Sequence, residues 1–340
     1  MEPTGSLALL ANIWFFIIGL FLVFYVVLDG FDLGVGILSL FTRQENRLEV
    51  MMTSLGTIWD ANETWIVIVA GTMFGAFPMA FGVIFHALYI PTILMLFALL
   101  LRGVAFEFRS ESHRKEIWGW AFGVGSLVAA ASQGLALGGL LQGPQVADGR
   151  FVGGVFDWLT PFSLVVAAGV VAGYALLGAT YLMMRTRGPI QAAMYGRARY
   201  LAAFMLLAAA IVSLWTPLRY EWVAERWFSL PAFYYYAALP ALALFAFWML
   251  LSSMVRRQTV APFVWTLVIF VSSFAGLAAT FFPYIVPDSV KIYEAAAAPN
   301  TLIFMLSVVS FFIPIMIVYN AYQYFVFRGK VDEQSAGYGQ

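Results

Sequence analysis

The chain has 340 residues, 62% of them hydrophobic and 11% charged, with 18 basic and 18 acidic side chains and a formal net charge of zero. That composition excludes a soluble globular domain, and without a basic stripe nothing supports nucleic-acid binding. No cysteine is present, which excludes disulfides, cysteine-held iron–sulfur clusters and thiolate-ligated haem within this chain.

Apolar segments of about 20 residues, long enough to cross a bilayer core of ~30 Å, recur along the chain. They predict an all-α integral membrane protein with nine spans, at roughly 9–41, 58–77, 80–101, 118–141, 158–184, 200–217, 232–254, 263–282 and 301–327. Residues 1–9 carry no positive n-region, so the first run reads as a retained helix. As a helix it extends about 50 Å, more than one straight crossing needs. Either it projects beyond the membrane or it bends near Gly30, Gly34 or Gly36.

That first run contains Asp29-Gly30-Phe31-Asp32-Leu33-Gly34-Val35-Gly36. An Asp in a lipid-spanning helix costs roughly 2.5–3.5 kcal/mol on insertion scales, so a pair of them demands a reason. Asp29 and Asp32, three positions apart, share one helical face, while Gly30 and Gly34 let another helix approach closely. The second span opens on Trp59-Asp60-Ala61-Asn62-Glu63-Thr64-Trp65, where Asp60 and Glu63 again share a face. On adjacent antiparallel helices the two acidic pairs are expected to occupy one layer.

The third span follows a turn at Phe77-Pro78 and contains His86, expected to be a neutral imidazole bonded to a backbone carbonyl. It ends in Leu101-Arg102-Gly103-Val104-Ala105-Phe106-Glu107-Phe108-Arg109, which offers Arg102 as a counter-charge to the carboxylates. The plainer alternatives for Arg102 are snorkelling at the interface or a surface pair with Glu107. His113 falls among charges in the third connection and reads as solvated. The fourth span holds Gln133 and a Gly134/Gly138 step, and the fifth holds Gly169/Gly173 and Gly178-Ala179-Thr180-Tyr181. Later spans have no charged residue or histidine in their middles.

Of the 18 basic residues, 14 fall in the odd-numbered connections and the C-terminal tail, leaving Arg150, Arg219, Arg226 and Lys291 on the other side. The positive-inside rule then predicts a cytoplasmic C-terminus and an outside N-terminus. Four intramembrane acids in one layer point to a proton relay or ion site, with a structural hydrogen-bond network as the plainer reading. A proton- or cation-coupled transporter is the rival class, but its acids should sit at an inverted-repeat interface, and here they occur in one half only. A purely structural scaffold is a third.

Three stretches, Asp29 to Gly36, Trp59-Asp60-Ala61-Asn62 and Leu101 to Arg109, together resemble subunit II of cytochrome bd-type quinol oxidases, including the cyanide-insensitive branch. Gly178-Ala179-Thr180-Tyr181-Leu182 and Phe282-Pro283-Tyr284-Ile285-Val286-Pro287 resemble later segments of that family in the same order. The likeness implies two four-helix bundles plus one peripheral helix. Here these are a first bundle at about 9–141, a second at about 158–282 and a last helix at about 301–327. It implies a bacterial cytoplasmic-membrane complex with a subunit I carrying haem b and haem d, which oxidises quinol and reduces O2 to water. Asp29 and Asp60 match acids associated with proton uptake from the cytoplasm. Arg102 matches a polar position near that route, and some members carry Gln at the position of Glu63; Asp32, Glu63 and Glu107 are expected to join the route as neighbouring acids. With two histidines and no cysteine, this chain cannot supply axial ligands for three haems, so the redox centres are expected in the partner. A structural quinone in this subunit and a small single-helix third subunit occur in parts of the family, and no motif here decides either.

Overall fold

The computed structural model describes residues 5–56, 58–326 and 328–331. The chain runs through α1 (Gly5–Ser39), α2 (Glu45–Leu55), α3 (Ile58–Ala76), α4 (Pro78–Ala87), α5 (Tyr89–Glu111) and α6 (Lys115–Leu141). A two-stranded hairpin, β1 (Val146–Ala147) and β2 (Arg150–Phe151), turns through Asp148-Gly149, both at positive φ. Asp and Gly tolerate that conformation best. Next come α7 (Pro161–Arg185), α8 (Gly188–Arg219), α9 (Glu221–Phe228), α10 (Ala232–Val255) and α11 (Ala261–Phe281). A second hairpin, β3 (Tyr284–Val286) and β4 (Val290–Lys291), precedes α12 (Ile292–Ala295) and α13 (Pro299–Val326).

Among the described residues, eight helices are long and apolar enough to cross a membrane: α1, α5, α6, α7, α8, α10, α11 and α13. The chain is thus an all-helical multi-pass membrane protein. The expected second span, α3, is not one of the eight. Its 19 residues include Asp60, Asn62 and Glu63, which lower its hydropathy.

The expected third span is also corrected, because it is two helices broken at Leu88. Pro91 explains the break: it has no N–H to donate to Ala87, and its ring would crowd that carbonyl. α4 therefore stops after ten residues, with His86 in its last turn. The first run, by contrast, is one uninterrupted helix of 35 residues, about 52 Å long. Two short helices, α2 and α9, were not expected from apolar length. The expected last span reaches residue 327, and residues 1–4 and 327 lie outside the described set.

Contacts define two opposite ends of the bundle. At one end the Arg197 side chain donates to the Phe41 carbonyl, the Tyr195 hydroxyl to the Arg257 carbonyl, and the Val331 amide to the Arg185 carbonyl. These belong to the connections predicted to be arginine-rich. At the other end the Ala297 amide donates to the Ala76 carbonyl, Trp14 Nε1 to the Leu302 carbonyl and Arg226 to the carbonyls of Thr280 and Phe282.

The lower part of α1 is the centre of the fold: every residue from Asp29 to Ser39 is buried. Close approach makes this possible. A Cβ on Gly34 would lie 1.8 Å from the Tyr174 carbonyl oxygen, and one on Gly178 would lie 2.3 Å from the Gly34 carbonyl carbon. The neighbour admitted by Gly30 and Gly34 is therefore α7, backbone against backbone at Gly34 and Gly178. α7 starts sharply because Thr160 and Ser163 form a reciprocal capping box with Pro161 in the first turn.

Candidate functional site

α1, α3 and α5 bring three carboxyls around one guanidinium. Asp29 and Asp32 are both completely buried, and Arg102 is 2% exposed. Arg102 Nη1 lies 2.7 Å from Asp29 Oδ1, and its Nη2 donates to Glu63 Oε2 at 2.8 Å. One guanidinium thus brackets a carboxyl from α1 and another from α3. Arg102 is neither a snorkelling side chain nor the partner of Glu107. It is the counter-charge that the apolar setting of Asp29 demanded.

Local sequence explains how α5 delivers it. Gly103 lies against the Trp59 ring, and a Cβ there would sit 3.3 Å from the indole. The step Arg102-Gly103 therefore places a long cation beside a residue small enough to let α3 close in. A carboxylate buried with such a partner costs far less than one alone, whereas removing the partner typically costs about 3–5 kcal/mol.

Asp32 is held differently. Its Oδ2 accepts from Asn62 Nδ2 at 2.8 Å, and Asn62 Oδ1 accepts from the Tyr324 hydroxyl of α13 at 2.8 Å. Asn62 is fully buried and also donates to the Leu28 carbonyl at 3.3 Å. On the far side of Asp29, the Tyr174 hydroxyl donates to Gln133 Oε1 and Gln133 Nε2 donates to the Tyr25 oxygen, both at 2.7 Å. Tyr25 stands beside Asp29. Polar capacity remains unused inside the layer: both Asp29 oxygens, Asp32 Oδ1 and Arg102 Nε and Nη1 lack a well-aligned hydrogen bond, the 2.7 Å ion pair included.

Asp60 departs from the expected layer. It is exposed on α3, while Asn62, two residues on, turns inward to Asp32. The buried stripe of α3 runs Ile58, Asn62, Trp65, Val69, Thr72 and Ala76, in steps of four and three, with Asp60 and Glu63 on its flanks. Asp60 and Glu107 instead line a cavity of about 670 Å3 between α2, α3 and α5. The sequence reading passed over Asn62, Tyr25, Tyr174 and Tyr324 as working residues. For Asn62 that stripe was the available signal.

Neither histidine enters the layer. His86 is exposed, and its ring meets Phe151 edge-on at 5.4 Å instead of taking up the expected backbone bond inside a span. His113 is exposed in the connection after α5. Among the described residues no group of three or more His, Cys, Asp or Glu side chains is arranged to hold a metal.

The profile of the family described as "Cytochrome bd terminal oxidase subunit II" matches residues 10–327. The chain is 30% identical to cytochrome bd-I ubiquinol oxidase subunit 2 of Escherichia coli strain K12, over 95% of each chain. It is 35% identical to cytochrome bd ubiquinol oxidase subunit 2 of Bacillus subtilis over 58% of each, and 25% identical to a probable cytochrome oxidase subunit 2 of Haemophilus influenzae over 94% of each. In fold it is similar to a chain of the bd oxidase from Geobacillus thermodenitrificans, with a TM-score of 0.75 at 18% identity, covering 94% of this chain and 99% of that one. On a match spanning nearly its whole length, the chain belongs to the cytochrome bd terminal oxidase subunit II family.

Proposed function

We propose that this chain is the haem-free subunit II of a quinol:oxygen oxidoreductase in a bacterial cytoplasmic membrane, and that it conducts protons from the cytoplasm toward a haem-bearing subunit I. The partner's b- and d-type haems supply the electron transfer and the reduction of O2. In this reading α3 is the ninth crossing, the helices group as two bundles plus α13, and the arginine-rich end faces the cytoplasm. Support for α3 comes from its ends, since it joins α2 at the arginine-rich end and Ala297 at the other.

The observation that carries the proposal is the pairing of Asp29 and Glu63 on the two nitrogens of one buried guanidinium. Arg102 does not give up its own proton, so it acts as a bracket that keeps two carboxyls within a short step of each other. Three carboxyls share one guanidinium, so the layer has acid capacity in excess of its fixed positive charge, which a proton carrier needs. A proton taken up by exposed Asp60 passes to Glu63, one helical turn along α3, and then along the edge of Arg102 to Asp29. The Asn62 amide donates to Asp32 and cannot relay a proton in that arrangement, so Asp32 is a side branch anchored to α13.

Asp29→Asn and Asp60→Asn keep shape and remove the titratable group. In the assembled oxidase, each should retain haem content and lose quinol-dependent O2 consumption by about 10²-fold or more, the contribution of a positioned proton-transfer group. Full haem content with wild-type turnover in both variants would end the proposal.

A further inference from the structure

The relay begins at Asp60, and the question is how protons reach it. The arginine-rich end of α1 is covered by α2, whose Leu48, Met51 and Leu55 join the main core. The Tyr181 hydroxyl donates to the Ser54 carbonyl at 2.8 Å and fixes the end of that helix. To the side of that cover lies the cavity of about 670 Å3, with Asp60 in its wall.

Three elements each contribute one carboxyl to its wall: Glu49 from α2, Asp60 from α3 and Glu107 from α5. Trp59 and Phe106, 5.4 Å apart between ring centres, form an apolar side. Arg109 completes the wall. It is 3% exposed, pairs with Glu45, and donates to Glu49 Oε2 at 2.6 Å, while its Nε is buried without a partner. The charged groups facing Asp60 are thus Glu49 and Arg109 from across the cavity and Glu107 from α5. Glu45 lies beyond Arg109, and Glu63 and Arg102 lie inward of Asp60.

We propose that this cavity is the cytoplasmic mouth of the proton route. Glu49 and Glu107 concentrate protons for Asp60, and Arg109 is a positioning residue that holds α2, and with it Glu49, at the rim. The inference rests on the relay reading above. Acidic clefts with low-dielectric walls focus their field and raise arrival rates by about 10 to 10³. Such a gain matters where protons are scarce, so its loss is visible at alkaline pH and not at acid pH.

The test uses the complete oxidase in proteoliposomes with the cytoplasmic face accessible. The cavity wall also carries Thr53, and because this chain has no cysteine, Thr53→Cys gives it a single thiol that can carry a plug. A bulky, membrane-impermeant maleimide added from the cytoplasmic side should label Thr53→Cys. It should slow turnover roughly tenfold above about pH 8.5, and much less near pH 6, relative to the unlabelled variant. The same reagent on oxidase without the substitution controls for thiols in the partner. Glu49→Gln should show the same alkaline loss, about threefold, with unchanged haem spectrum, and Arg109→Lys should retain more alkaline turnover than Arg109→Gln.

Complete labelling with an unchanged pH profile would overturn the mouth. So would a Thr53→Cys thiol that stays unreactive in the assembled oxidase. Asp29→Asn and Asp60→Asn separate the two levels: their loss of turnover with no effect of the plug overturns the mouth alone, whereas full turnover in both overturns the relay.

Discussion

Buried polar side chains are satisfied in different ways in the two halves of the molecule. In α8, α10 and α11 the buried serine and threonine hydroxyls donate within their own helix: Thr216 to the Val212 carbonyl, Ser253 to that of Leu250, Thr266 to that of Pro262 and Ser272 to that of Ile269, all at 2.7–3.0 Å. In the layer of α1, α3 and α5 they bond across helices: Asn62 to Asp32, Arg102 to Glu63 and Asp29, Tyr324 to Asn62. A hydroxyl bonded to a carbonyl one turn back needs no neighbour and says nothing about one. A carboxyl whose only partner is on another helix ties packing and chemistry to the same contact. The difference marks where charge is buried between helices.

Four substitutions would break or sharpen that contrast. The largest effect is expected from Arg102→Leu, which leaves Asp29 and Glu63 without their counter-charge and should cost about 3–5 kcal/mol. Thermal unfolding of the purified oxidase and its yield report this, and Asp29→Leu in the same chain should restore part of the loss. Gly34→Ala comes next, because its methyl would meet the Tyr174 carbonyl oxygen at 1.8 Å and force α1 from α7. Overpacking of this kind costs about 1–3 kcal/mol, read as a lowered Tm. Asn62→Leu leaves Asp32 Oδ2 and the Tyr324 hydroxyl unpaired, at about 1–3 kcal/mol, and Asn62→Gln should not rescue it because the longer amide misses both partners. The smallest change is expected from Thr266→Val, where only a bond within one helix turn is lost: about 0.5–1.5 kcal/mol, with wild-type turnover. A Thr266→Val enzyme with impaired turnover would dissolve the contrast.

Those same bonds explain what could be read in advance. Asp29 and Arg102 are legible because a charge in an apolar run needs a partner whatever the fold. Between the carboxylate layer and Glu107 as partner of Arg102 the sequence left the choice open, since it depends on α3 and α5 closing over Gly103. The acidic face of α3 was assigned by spacing alone, which put Asp60 in the layer. The period of the buried stripe turns Asn62 inward and leaves Asp60 at the cavity. α2 escaped notice because it buries only one face and has no long apolar run to mark it. The break before Pro91 was legible in the proline itself, whose helix-ending chemistry outweighs the apolar run around it. Tyr25, Gln133 and Tyr174 meet only through helix packing, with separations of 108 and 41 residues, and no local pattern announces them.

Of the two carboxyls that Arg102 brackets, Asp29 is the fully buried one, and the proposed relay passes through it. The most direct test is the rate of proton uptake from solution during a single turnover of the complete oxidase carrying Asp29→Asn, followed with a pH-indicator dye after the fully reduced enzyme meets O2. The account predicts an intact haem spectrum and uptake slowed roughly tenfold or more. Uptake at the wild-type rate in a fully haem-loaded Asp29→Asn enzyme would contradict it.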